Sequence, residues 1–206
     1  MVEGQAILDA RASDDILAVL RSGGLIVYPT DTLYGLGADP FNADAVTRLF
    51  AAKGRPAGQP VSVVMPSLDA AKEMALINAR AEAFCRPWLP GPLTLLFRPT
   101  AKTPRTIVSD QGTVAIRVPN HPVALMFAKR FGPITATSAN LHGRPPPIEA
   151  WEAQEQLGNV VDVYVDAGPC PVGRESTIVD FTQEEPRVIR EGALSADRLG
   201  IVRRSR

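Results

Sequence analysis

The sequence predicts an α/β protein bordering on α+β, a twisted mixed β-sheet with flanking helices. Three observations point there. Short apolar runs bounded by Gly and Pro recur along the chain. Segments with apolar residues at helical spacing alternate with them through the first two thirds, and strands follow one another near the end. A length of 206 residues with 45% apolar side chains suits one sizeable core. We expect a single domain over 1–206, its core spanning about 10–195, with no separate C-terminal domain.

Element by element, Ser13 can cap a helix whose apolar positions are Ile16, Leu17, Val19 and Leu20, stopped by Gly23 and Gly24. A strand over 25–28 follows. Residues 29–37 (Pro-Thr-Asp-Thr-Leu-Tyr-Gly-Leu-Gly) read as a loop, because Pro29 has no ladder donor and the glycines permit unusual backbone angles. A helix over 43–52 carries Val46, Leu49 and Phe50 on one face and runs into Lys53-Gly54-Arg55. Next come a strand over 61–65, helices over 68–76 and 78–86, a rigid turn at 88–92 and a strand over 93–98. Further strands are expected over 113–118, 134–137, 160–165, 177–181 and 187–190, with helices over 122–130 and 148–157. The 19 prolines and 16 glycines punctuate these elements and form no biased block.

Lys plus Arg equal Asp plus Glu at 22 each, so no global positive field favours nonspecific nucleic-acid binding. Any basic function must be local. Cys85 and Cys170 lie far apart with no partner at metal-ligand spacing, which reads as reduced thiols. Apolar runs are far shorter than a membrane span, and no basic stretch followed by an apolar one opens the chain. We expect a soluble cytoplasmic protein with no membrane contact.

Strand alternation then places candidate chemistry. In 113–118, Val114, Ile116 and Val118 form one face, and Thr113, Ala115 and Arg117 the other. Ala136, Ser138 and Asn140 share a side if their strand reaches that far. For one such strand the simpler reading is a solvated sheet face; two together weaken it. Lys53 and Arg55 can complement a helix dipole, but Gly54, Pro56 and Gly58 make a loop near Gln59 that also suits phosphate oxygens. Neither standard phosphate loop is present: there is no Walker-type run, and Gly35-Leu36-Gly37 lacks the third glycine of the dinucleotide fingerprint. His121 and His142 sit in no recognisable catalytic setting and are assigned to structure.

Taken in order, several segments resemble the YrdC-like family of L-threonylcarbamoyladenylate synthases over nearly the whole chain. They are Tyr28-Pro29-Thr30-Asp31-Thr32-Leu33-Tyr34-Gly35-Leu36-Gly37, Lys53-Gly54-Arg55-Pro56, Leu89-Pro90-Gly91-Pro92-Leu93-Thr94, Thr113 through Pro119, Ser138-Ala139-Asn140, Gly143-Arg144-Pro145, Ser176 through Asp180, and Arg190-Glu191-Gly192. The family's paired Lys-x-Arg and Ser-x-Asn signature is intact as Lys53, Arg55, Ser138 and Asn140. Val64 stands where some members carry histidine, and Gln59 where others carry asparagine.

That resemblance implies a concave nucleotide-binding face and the short, single-domain form. It implies that ATP is held by Lys53, Arg55, Gln59, Thr113, Ser138, Asn140 and Arg190, with Lys53, Arg55, Ser138 and Asn140 as the catalytic set. Threonine is held by Thr32, Arg117, Ser176 and the Ala136 backbone. The implied substrates are ATP, L-threonine and bicarbonate, the implied products threonylcarbamoyl-AMP and pyrophosphate, in the first step of tRNA N6-threonylcarbamoyladenosine modification. Mg2+ is expected to accompany ATP with no dedicated protein cage, Asp31 being a candidate outer ligand. Downstream threonylcarbamoyl transferase proteins are the implied partners, with at most a weak tRNA contact. The competing reading is an RNA-binding module of the same fold, against which zero net charge and 6% aromatic content argue. A carbamoyl-transfer domain of hydrogenase maturation is also similar, but the chain lacks the length and cysteines of that context.

Overall fold

The computed structural model describes residues 7–9, 13–54 and 61–201. In chain order the elements are β1 (Ile7–Asp9), α1 (Ser13–Arg21), β2 (Ile26–Pro29), β3 (Tyr34–Gly37), α2 (Ala43–Ala52), β4 (Ser62–Val64), α3 (Leu68–Ala71) and α4 (Ala79–Cys85). Then come β5 (Leu93–Phe97), β6 (Val114–Arg117), α5 (Pro122–Arg130), β7 (Ile134–Ser138), α6 (Ala150–Leu157), β8 (Val163–Asp166), β9 (Thr177–Asp180) and β10 (Arg187–Arg190). The ten described strands form one mixed sheet in the order β1-β8-β2-β3-β7-β4-β6-β5-β9-β10. The α/β architecture expected from sequence is the one observed.

Three local expectations change. Residues 34–37 are not loop but a strand, pairing antiparallel with β2 from Ile26↔Gly37 to Pro29↔Tyr34. Neither Gly35 nor Gly37 has positive φ; their use is room, since a Cβ on Gly37 would lie 2.7 Å from the Tyr28 ring and 3.1 Å from the Thr135 carbonyl. Composition suggested a turn where close packing of strands is the cause. The helix expected over 68–76 stops at Ala71 as the chain tightens into turns, and β1 was not anticipated.

Helix ends follow their caps. Asn42 accepts from the Asp44 and Ala45 amides at 3.1 Å and starts α2. At the other end Lys53 is the C-cap, and Gly54, at φ 63°, turns the chain away from the helix.

The sheet has two different faces. On one, Val63, Leu95, Ile116 and Val179 occupy adjacent strands and join the larger apolar cluster with Val46, Leu49 and Phe50 of α2. On the other, Ile26, Tyr28, Val64, Ile134 and Ala136 pack against Ile16, Leu17 and Leu20 of α1 and Ala124 and Phe127 of α5. Beyond Val64 and Ala136 this second face turns polar. Two rows of register partners cross it: Val64–Arg117–Thr94–Ile178–Arg190, and Ala136–Ser62–Ala115–Leu96–Asp180. Directly opposed residues share a face, so Arg117, Thr94 and Arg190 point the same way. With strands about 4.8 Å apart, Arg117 and Arg190 stand about 14 Å from each other along the row.

Candidate functional site

At the inner end of that row a hydroxyl organises the chain. Thr30 Oγ1 donates to the Leu33 carbonyl at 2.6 Å and accepts from the Thr32 and Leu33 amides at 3.2 Å, closing a tight turn around Asp31. Arg117 reaches into this turn from β6. Its Nη2 donates to Asp31 Oδ1 at 2.6 Å, to Thr30 Oγ1 at 3.2 Å and to Thr32 Oγ1. Both members of the ion pair are buried, Arg117 at 7% and Asp31 at 3% exposure. The solvated-face reading of this strand is therefore overturned: the cation is buried and paired. Nε of Arg117 is buried without a partner, and with Nη2 committed to the turn the remaining N–H groups of the guanidinium fork are the ones left for a ligand anion.

Two hydroxyls stand beside it. Thr94, the register partner of Arg117, lies 2.8 Å oxygen to oxygen from Ser176, and both are buried. Ala136 is buried on β7, its carbonyl accepting from Ser62 Oγ. Asp31, the candidate outer magnesium ligand, gives Oδ1 to Arg117, and its Oδ2 has no hydrogen-bond partner. Among the described residues there is no group of three or more His, Cys, Asp or Glu that could hold a metal ion.

At the other side of the face, Lys53 is buried and its ammonium donates to the Asn140 carbonyl at 2.8 Å and to the Ser138 carbonyl. The lysine thus ties the end of α2 to the Ser138–Asn140 segment, which brings together two motifs 85 residues apart. β7 ends at Ser138, opposite Gly35. Asn140 lies just past it, where its Nδ2 donates to the Leu141 and Arg144 carbonyls at 3.0 and 2.7 Å and organises the following turn. Thr113, just before β6, pairs its hydroxyl with Ser109 at 2.7 Å across a turn that Gly112 permits at φ 68°. Arg190 donates from Nη2 to the Ser176 carbonyl at 2.9 Å and forms an ion pair with Glu175, its Nη1 3.0 Å from Oε1. Arg55 and Gln59 lie outside the described residues.

Among the described residues, four buried side-chain atoms have no hydrogen-bond partner: Asp31 Oδ2, Arg117 Nε, Asn140 Oδ1 and Arg190 Nε. Such groups are rare in folded proteins and gather where function holds them. All four belong to this face or its bordering loops. His121 is not among the site's donors: it caps α5, its Nδ1 accepting from Val123 at 3.3 Å, and burial holds its pKa below the usual value against the opposing pull of Asp31.

Sequence reasoning left two of these residues without their present roles. Asp31 orients Arg117, and Thr94 holds Ser176. The signal for Thr94 was available, because it is the one hydroxyl in the otherwise apolar strand Leu93–Phe97. The signal for Asp31 was not, since nothing local reveals a counter-ion 86 residues away.

A family model for Sua5, YciO and YrdC proteins, described as "Telomere recombination", matches residues 18–192. The chain is 40% identical over 187 residues to a putative threonylcarbamoyl-AMP synthase of Mycobacterium tuberculosis, covering 90% of this chain and 86% of that protein. It is 37% identical over 182 residues to threonylcarbamoyl-AMP synthase of Pyrococcus abyssi, covering 87% of this chain but 54% of that longer protein. Among solved structures, P. abyssi Sua5 complexed with L-threonine superposes with a TM-score of 0.85 at 34% identity, covering 92% of this chain and 56% of the other. The chain thus spans about half the length of its archaeal relative.

Proposed function

The chain belongs to the Sua5, YciO and YrdC family, and from that premise we propose that it is an L-threonylcarbamoyladenylate synthase, a nucleotidyltransferase of tRNA modification. The amine of threonine loses a proton and combines with bicarbonate, releasing water and leaving a carbamate. A carbamate oxygen then attacks the α-phosphate of ATP. The phosphoanhydride bond breaks, pyrophosphate leaves, and threonylcarbamoyl-AMP remains. No protein nucleophile is needed, because the work is alignment and stabilisation of charge on phosphate oxygens.

In this reading the free edge of Arg117 takes the substrate carboxylate, with Thr32 and Ser176 beside it and the Ala136 backbone near the amine. Arg190, Thr113, Ser138 and Asn140 serve the nucleotide, joined by Arg55 and Gln59. Lys53 acts largely by fixing Ser138 and Asn140 through their carbonyls, with its charge contributing to the phosphate field. Magnesium is expected to enter on ATP, held by phosphates and water.

The observation that carries the reading is the buried Arg117–Asp31 pair set among Thr30, Thr32 and Thr94, with one guanidinium edge unspent, on the sheet row that also carries Arg190. Two cationic anchors about 14 Å apart suit a reaction that joins a carboxylate-bearing amino acid to a nucleotide.

The test is pyrophosphate release by the purified chain, with ATP, threonine and bicarbonate each omitted in turn. Release should need all three. Release that ignores threonine or bicarbonate would sink the assignment. The product would pass to downstream threonylcarbamoyl transferase proteins in a cytoplasmic setting. Among the described residues no helix is long and apolar enough to cross a membrane.

A further inference from the structure

From the hydroxyl count at Thr94 and Ser176 we infer that Thr94 is a further substrate-binding residue, one that fixes a single hydrogen-bond donor on the threonine carboxylate next to Arg117. The inference rests on the synthase reading above and adds to it a residue with no assigned part in the reaction.

Two hydroxyls carry two hydrogens between them. The oxygens of Thr94 and Ser176 lie 2.8 Å apart, so one hydrogen lies between them, whichever residue donates. The other hydrogen has no acceptor in the described residues, since neither side chain has any further hydrogen bond there. Thr94 is 5% and Ser176 6% exposed, so bulk water is a poor substitute.

The position of the spare donor follows from the sheet. Thr94 pairs with Arg117 in the β5–β6 register, which puts both side chains on one face about 5 Å apart at the backbone. Ser176 directly precedes β9, which runs parallel to β5 with Thr94 opposite Ile178. Its carbonyl receives the Arg190 guanidinium at 2.9 Å, which fixes the backbone that carries the hydroxyl. A carboxylate docked on the free edge of Arg117 would place its second oxygen beside this pair. The spare hydrogen then meets a charged acceptor, a stronger bond than one to a neutral group. The pair behaves as one donor: if Thr94 is the outward hydroxyl it bonds the carboxylate itself, and if Ser176 is, Thr94 donates to Ser176 and so orients it.

The experiment is steady-state pyrophosphate release by the full chain, with threonine and ATP varied separately, for the unaltered protein, Thr94→Val and Thr94→Ser. A hydrogen bond to a charged group implies a rise in the threonine KM of about tenfold or more for Thr94→Val. The ATP KM should stay within about twofold, because Thr94 lies at the Arg117 end of the row. Thr94→Ser restores the hydroxyl and should bring the threonine KM back to within about threefold. Should Thr94→Val not fold, Thr94→Ala removes the same hydroxyl without a branched side chain and should show the same split between the two KM values. A threonine KM unchanged in Thr94→Val, an equal rise in both KM values, or no recovery in Thr94→Ser overturns the role of the hydroxyl. Absence of threonine-dependent release from the unaltered chain overturns the synthase reading as well, so the two failures are told apart by the unaltered protein.

Discussion

The two buried cations of the site are held in opposite ways. Arg117 is held by side chains, a carboxylate and two threonine hydroxyls, all from the one turn after β2. Lys53 reaches main chain among the described residues, the carbonyls of Ser138 and Asn140. The first arrangement fixes a planar fork with one edge free, suited to reading a carboxylate. The second fixes a backbone segment, and the cation there is as much a strut as a ligand group. Residue type alone made Lys53 and Arg117 look alike; their partners separate them.

The largest effect should come from breaking the side-chain arrangement. Arg117→Ala removes the carboxylate anchor and leaves Asp31 buried without its counter-ion. Truncating one partner of a buried charge pair costs about 2–5 kcal/mol, so threonine use should fall by at least about thirtyfold. The uncompensated Asp31 should also lower the melting temperature. Steady-state kinetics with threonine varied, together with thermal unfolding, checks both. An unchanged threonine KM would remove Arg117 from the site.

A smaller and differently directed effect is expected at the other cation. Lys53→Met keeps the length of the side chain but leaves two carbonyls without their donor, at about 1–3 kcal/mol. Because those carbonyls belong to Ser138 and Asn140, the ATP KM should rise by about five- to a hundredfold while the threonine KM moves less. Titrating ATP and threonine separately distinguishes this from general damage. A threonine KM that rises more than the ATP KM would reverse the assignment of the two ends.

The smallest effect concerns the thiols. Cys170 lies near Arg117 and Asp31, and burial pushes its pKa from 9.0 to about 11, with the Thr30 amide and Arg117 pulling it partly back. Cys85 lies elsewhere in the same apolar cluster, where burial alone takes it to about 12. In both, the folded state keeps the proton that the unfolded chain gives up near pH 9. The folded chain therefore binds more protons between those limits, and stability falls as pH rises through that window and is unaffected below it. Melting temperatures from pH 8 to 11 should decline, and alkylation should be slow at neutral pH, with Cys170 reacting ahead of Cys85 as pH rises. Fast labelling of either thiol at pH 7 would contradict the burial that sets these shifts.

What the sequence could express by itself was periodicity and punctuation. The alternation in 113–118 separated Thr113 and Arg117 from Val114 and Ile116 before any coordinates, because strand side chains have a period of two. Asn42 and Gly54 bounded α2 through local capping chemistry. The ordered motifs also carried the family. Contacts between distant segments were beyond it. The glycines of residues 29–37 looked like a loop, because Tyr28 and Thr135, which demand a bare Cα at Gly37, lie on other strands. Nothing local to Asp31 showed that Arg117, 86 residues on, is the partner of its Oδ1. Nothing local to Lys53 showed that the fold brings the Ser138 and Asn140 carbonyls under its ammonium. Composition and spacing determine which face a residue takes within its own element. Only the order of the strands decides which residues from other elements share that face, and with them whether a charge is solvated, paired or left ready for a substrate.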